Sequence, residues 1–298
     1  MSNYVHQHGK GLGAEPKANY DVWRFDSLDA LLQQAKATPA EYIGTSDASK
    51  EQWKDFFITR NLEQAIELGW NGWRDAADKV QGYMQPIREQ LGNVLSQVAE
   101  RVIDMTGYEP DIDRFLSGEL DCMVDDWIIE QPKQGKVFTL LVNSTMTANN
   151  SATDILKRGA ALCALIEAFT MLGYQLEVWT ELTVTNIPYG KDDFGVILTR
   201  ISTAGDPIDV NRVMFACGHG DYNRRVMWAV GEGFDVMRDK YKFRAGGSYG
   251  MCKNGIHMAD QVGASITVEL DSNHSMTRSP VKWILDQLEA QGVYDPLD

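Results

Sequence analysis

The chain has 298 residues, 44% of them hydrophobic and 10% aromatic, and its 42 acidic side chains outnumber 28 basic ones to give a formal charge of −14. That length allows one large domain or a core domain with a substantial N-terminal extension. No apolar run approaches the roughly 20 residues that cross a bilayer, so a soluble protein is expected, and the acidic balance disfavours a generic hold on nucleic acid, whose phosphates are gripped by clustered Lys and Arg.

The first 18 residues are Gly-rich and polar without apolar periodicity, which predicts a flexible arm. They lack the apolar stretch and cleavage pattern of a secretory signal, so an intracellular protein is expected. His6 and His8 lie in this arm, where two histidines lack the further ligands that a metal site needs. Cys122, Cys163, Cys217 and Cys252 form no CxxC pair, which predicts free thiols in a reducing cytoplasm. A short helix begins at residues 25–32, with Asp26 or Ser27 as its N-cap. A second covers residues 61–69, and Trp70 and Trp73 after it are expected to anchor the N-terminal helices on the main domain.

Residues 74–106 carry a helical pattern that Pro86 and Gly92 divide or distort. Residues 108–127 include Asp111, Asp113, Glu119, Asp121, Asp125 and Asp126. Without the fixed Gly and terminal Glu of a calcium loop, they predict a solvated acidic connector.

The organising stretch is residues 136–183. A strand at 137–142 rich in β-branched and aromatic residues leads through a polar segment, 143–151, into a helix with Asp154 at its start and Gly173 at its stop. A strand at 174–183 completes a βαβ unit, for which a right-handed crossover is expected. Another strand follows at 194–203, then a Gly205-Asp206-Pro207 turn and helices at 208–217 and 222–237. His219 and Asp221 in the link between those helices read as a polar cap.

Arg224, Arg225, Arg238, Lys240, Lys242 and Arg244 interleave with Tyr222, Trp228, Tyr241 and Phe243. That pattern fits a solvated helix face, or alternatively a stacking surface for single-stranded nucleic acid. Residues 245–250 are Gly-rich but lack the Lys of a phosphate loop. A late strand at 266–270 and a helix at 280–291 close the chain. The expected organisation is an arm at 1–18, a helical N-terminal region at 19–130 and an α/β domain at 131–298, with an open, mainly parallel sheet flanked by helices.

Within that α/β domain, the block VFTLLVNSTMTANNSATDILKRGAALCALIEAFTMLGYQLEVW resembles the start of a von Willebrand factor A-like domain. That family carries an Asp-x-Ser-x-Ser metal motif at the carboxyl end of its first strand. The matching frame here is Asn143-Ser144-Thr145-Met146-Thr147, with Asn for Asp and Thr at both hydroxyl positions, and Asp271 answers to an acid supplied from a later strand. The resemblance implies a degenerate site for Mg²⁺ or another divalent cation, weakened because an amide replaces a carboxylate. Read from the residues alone, the same loop caps the helix that follows. The blocks FDSLDALLQQAK, NLEQAIELGWNGW and VKWILDQLEAQGV, with RGAALCALIEAFTMLGYQLEVW, are similar to an uncharacterised family of bacteriophage proteins over most of residues 25–293. That similarity implies a phage origin and action in the cytoplasm of the infected bacterium.

The expected function is that of a non-enzymatic interaction protein. It would bind a phage or host protein through loops at the strand carboxyl ends, with Asn143, Ser144, Thr145, Thr147 and Asp271 as binding residues. One alternative is a single-stranded nucleic-acid-binding accessory factor in replication or transcription, using Arg224, Arg225, Trp228, Lys240, Lys242 and Arg244. Another is a metal-dependent hydrolase or transferase built on the acidic residues.

Overall fold

A computed structural model describes residues 3–48, 57–74, 77–95, 101–105, 109–126, 136–145, 151–185, 193–244, 251–252, 255–269 and 274–294. The first strand pair is β1 (Val5–Lys10) with β2 (Asn19–Phe25), antiparallel, with Val5 opposite Arg24 and Lys10 opposite Asn19. The residues expected to form a flexible arm therefore include an edge strand. Its hydrogen bonds to β2 supply the order that its composition does not, and β2 puts a strand at the head of the region expected to be helical.

Helices α1 (Leu28–Ala37) and α2 (Leu62–Asn71) follow. Each has a side-chain cap: Ser27 Oγ accepts the Ala30 N–H at 3.1 Å and Asn61 Oδ1 accepts the Gln64 N–H at 2.9 Å, satisfying amides that a helix start leaves unpaired. Helix α3 (Ala77–Leu95) carries Pro86 inside it and stops short of β3 (Arg101–Asp104). The expected acidic connector holds β4 (Glu109–Pro110), α4 (Ile112–Leu116) and β5 (Met123–Asp126), and β3-β5-β4 form a small antiparallel sheet.

The βαβ unit is present as β6 (Val137–Asn143), α5 (Ala152–Met171) and β7 (Gln175–Thr185), with β6 and β7 parallel. Then come β8 (Asp193–Ser202), α6 (Val210–Gly218), a π-helical segment over Tyr222–Met227, α7 (Trp228–Gly233) and α8 (Asp235–Asp239). The single helix expected at 222–237 is thus three pieces. The chain ends through β9 (Met251–Cys252), α9 (Ala259–Val262), β10 (Ile266–Glu269), α10 (His274–Arg278) and α11 (Pro280–Ala290).

The main sheet has the order β1-β2-β8-β7-β6-β10, with β9 paired to β7 off that path. Pairs β2·β8, β6·β7 and β6·β10 are parallel, while β1·β2, β7·β8 and β7·β9 are antiparallel. The sheet is mixed, where a mainly parallel one was expected. Chain length explains the difference: only residues 186–192 join β7 to β8, and a parallel crossover needs about a dozen residues or more.

One face of the sheet carries the larger core, in which Phe138, Leu140, Val142, Val178 and Leu182 meet α1, α5, α6 and the π segment. Helix α5 is buried nearly all round. It meets α6 at two glycines, where a Cβ on Gly159 would lie 2.5 Å from the Gly218 Cα. The other face carries a smaller cluster of Tyr20, Leu141, Trp179, Phe194, Val196 and Met258.

Candidate functional site

On neighbouring strands Glu269 stands opposite Asn143, and Asn143 opposite Glu181, so the three lie in register across β10, β6 and β7 and share one sheet face. Around them the chain builds a buried polar cluster. Asn143 accepts the Thr145 N–H at 2.7 Å on its Oδ1 and donates its amide to the Gly255 carbonyl. Ser144 donates both its N–H and its hydroxyl to the Glu181 carbonyl, each at 2.8 Å. Asn223, on the π segment, donates to the Ser144 carbonyl at 2.7 Å.

Glu181 is wholly buried and its carboxylate accepts the N–H groups of His257 and Met258, both at 2.9 Å. Burial pushes its pKa up to about 7. The two amides oppose that rise and the Glu269 charge adds to it. The carboxyl thus pins the segment leading into α9 against the sheet.

Of the residues expected to bind, Asn143, Ser144 and Thr145 come together but are buried at 2%, 0% and 2% exposure, their polar groups largely turned to backbone partners. The Thr145 hydroxyl has no hydrogen-bond partner among the described residues. Thr147 and Asp271 lie outside those residues. Among the described residues no group of three or more His, Cys, Asp or Glu is arranged to hold a metal ion. Within the described residues Asn143 and Ser144 direct side-chain hydrogen bonds to backbone groups.

The basic set does not form one face. Arg225 is buried, its guanidinium donating to the carbonyls of Ser46 at 2.9 Å, Ala48 at 3.1 Å and Thr59 at 3.2 Å while lying over the Phe57 ring. Arg224 lies over Trp228, whose ring is itself buried at 6% exposure. Lys240 is paired to Asp21 at 2.9 Å and Lys242 donates to the Asp239 carbonyl at 2.7 Å, whereas Arg244 is exposed. The expected stacking surface thus has its aromatic, Trp228, and one of its cations, Arg225, inside the molecule.

His219 and Asp221 act together as a buried clasp. Asp221 accepts the N–H groups of Ile58 and Thr59, and its own N–H donates to His219 Nδ1 at 3.1 Å. Burial brings the His219 pKa down to about 4, against the pull of the Asp221 charge, so the imidazole is neutral near pH 7.

Glu181, Asn223 and His257 were not singled out from the sequence. Glu181 left little signal, because Glu177 four residues earlier puts a second acid on the same face of β7. Asn223 and His257 left none, because only the tertiary fold brings them to β6 and β7.

The model of a family described as a domain of unknown function, DUF7192, matches residues 13–293. No curated protein and no solved structure matches the chain.

Proposed function

We propose, for a chain that belongs to the DUF7192 family, that it is an interaction protein whose partner docks at the sheet edge where β6 and β10 end side by side. The observation that carries this reading is the buried cluster of Asn143, Ser144, Glu181 and Asn223. It fixes the point at which the chain leaves β6 and ties it to the π segment and to the start of α9. A base held by satisfied buried hydrogen bonds presents its loops with little reorganisation cost, and that favours binding.

The degenerate von Willebrand A-like character belongs to the same proposal. The βαβ unit and a polar segment at the end of β6 support it, with Asn143 at the place of the motif's first acid. In this reading the chain is phage-encoded and the partner is a phage or host protein of the infected cell. Support for that setting is the resemblance of sequence blocks across most of residues 25–293 to bacteriophage proteins.

The test is photo-crosslinking in the producing cell, with a photoreactive amino acid at position 147 or 271 and a control at Val137, the opposite end of β6. A discrete protein adduct from positions 147 and 271 that is absent at 137 supports the proposal. Adducts of equal yield from both ends, or from neither, overturn it.

A further inference from the structure

A second surface stands apart from that edge. Helices α1 and α2 and the chain between them enclose an open groove of about 570 Å³, a size suited to a few side chains of a bound segment. Leu62 and Ile66, one turn apart on α2, form an apolar floor at 8% and 4% exposure. Glu63 and Glu67, the neighbouring i, i+4 pair, form an exposed lip. Neither carboxylate has a hydrogen-bond or ion-pair partner among the described residues. Trp70 closes the end, and the Lys36 ammonium lies 5.1 Å from the centre of its ring.

We infer that this groove docks an amphipathic basic segment of a partner protein, with an apolar side chain on Leu62 and Ile66 and Arg or Lys side chains on Glu63, Glu67 and Trp70. Three observations converge on that occupant. The floor is apolar and concave, which calls for an apolar anchor. Two unpaired carboxylates one turn apart call for cations at matching spacing. Lys36 over Trp70 shows that the ring already accepts a cation from this chain. An acidic segment would meet the lip charges as well as the net −14 of the whole protein.

The probe is a fluorescein-labelled synthetic helix of about 14 residues, with Leu at i, i+3, i+4 and i+7 and Arg on both flanks. A twin carries Glu in place of every Arg. Fluorescence anisotropy is measured on the full chain, the double variant Glu63→Lys/Glu67→Lys and Trp70→Ala, with a thermal melt of each as the folding control. The Arg peptide is expected to bind the wild type, to weaken about ten-fold on the double variant and to weaken with salt. The Glu peptide should bind only the double variant, and Trp70→Ala should weaken the Arg peptide. No binding of the Arg peptide, or binding that the charge reversal leaves unchanged, overturns the inference. Crosslinking at positions 147 and 271 is independent of these substitutions, so the two proposals fail separately.

Discussion

The Tyr241 phenol donates to Asp21 Oδ2 at 2.8 Å, and that same oxygen takes the Lys240 ammonium at 2.9 Å. The end of the helical layer is thereby tied to β2, while His8 on β1 reaches the other oxygen of Asp21 at 2.8 Å.

Asp21→Asn is expected to destabilise the fold by on the order of 3 kcal/mol at neutral pH, since it leaves a buried hydroxyl and an ammonium with a weaker partner. Burial raises the Asp21 pKa, but Lys240, Tyr241 and His8 together outweigh burial and hold it below the usual 3.8. A depressed folded pKa means that the stabilisation is present above that value and is lost as pH falls through the lower folded value. Urea denaturation of wild type and variant should therefore show a gap that narrows on acidification. Tyr241→Phe should cost only about 1 kcal/mol, because Asp21 keeps its other donors.

Glu181 gives the opposite slope. Its folded pKa of about 7 exceeds the ordinary 4.5, so its contribution is full below 4.5 and declines as pH rises through 7. Replacement by Gln mimics the protonated group and should flatten that part of the stability profile, which in the wild type is worth roughly 3 kcal/mol. Chemical denaturation between pH 4.5 and 8 measures it, and parallel curves for the two proteins would show that the carboxyl does not titrate there.

Helix contact at the two glycines predicts an asymmetry. A Cβ on Gly159 would meet the Gly218 backbone, with its Cα at 2.5 Å and its N at 2.9 Å. Gly218→Ala instead meets first the mobile end of Met214, at 2.7 Å. Gly159→Ala should cost at least about 3 kcal/mol and Gly218→Ala distinctly less. The midpoints of urea unfolding distinguish them.

Much of the core was legible from spacing alone. The helix of the βαβ unit has the apolar repeat Ile155, Leu162, Leu165, Ile166 and Phe169 that the structure buries, and its stop at Gly173 takes the positive φ of 79° that glycine tolerates. The pairing of β1 was not legible, because a strand such as VHQHGK is held by the hydrogen bonds of its neighbour and shows no apolar alternation. Strand direction at β8 depended on counting the linker. The polar cluster is the least legible part. Asn143 and Ser144 stand out in the sequence as part of a polar loop, but they are buried beside Glu181, Asn223 and His257, which lie 37 or more positions away in sequence.

Arg225 separates a structural from a nucleic-acid role. Arg225→Gln removes donors from two buried carbonyls and a half-buried one and should lower stability by about 3 kcal/mol. Filter binding to single-stranded DNA at low salt should show no salt-dependent retention for the wild type. Retention that fell steeply with salt would restore the basic residues to function.

The π segment has a consequence for how this chain tolerates change in length. Its wide turn holds Tyr222 near Thr180, Asn223 on Ser144 and Arg225 on the carbonyls of Ser46, Ala48 and Thr59. A π turn takes one residue more than an α turn, so losing one residue there would restore an α-helical turn and leave the helix beyond it close to its present phase. Trp228 and Val230 would stay in the core that now receives them, while Tyr222, Asn223 and Arg225 could not all keep their partners. A single-codon deletion within residues 222–227 is therefore expected to cost the segment its polar contacts and to spare the apolar core behind it.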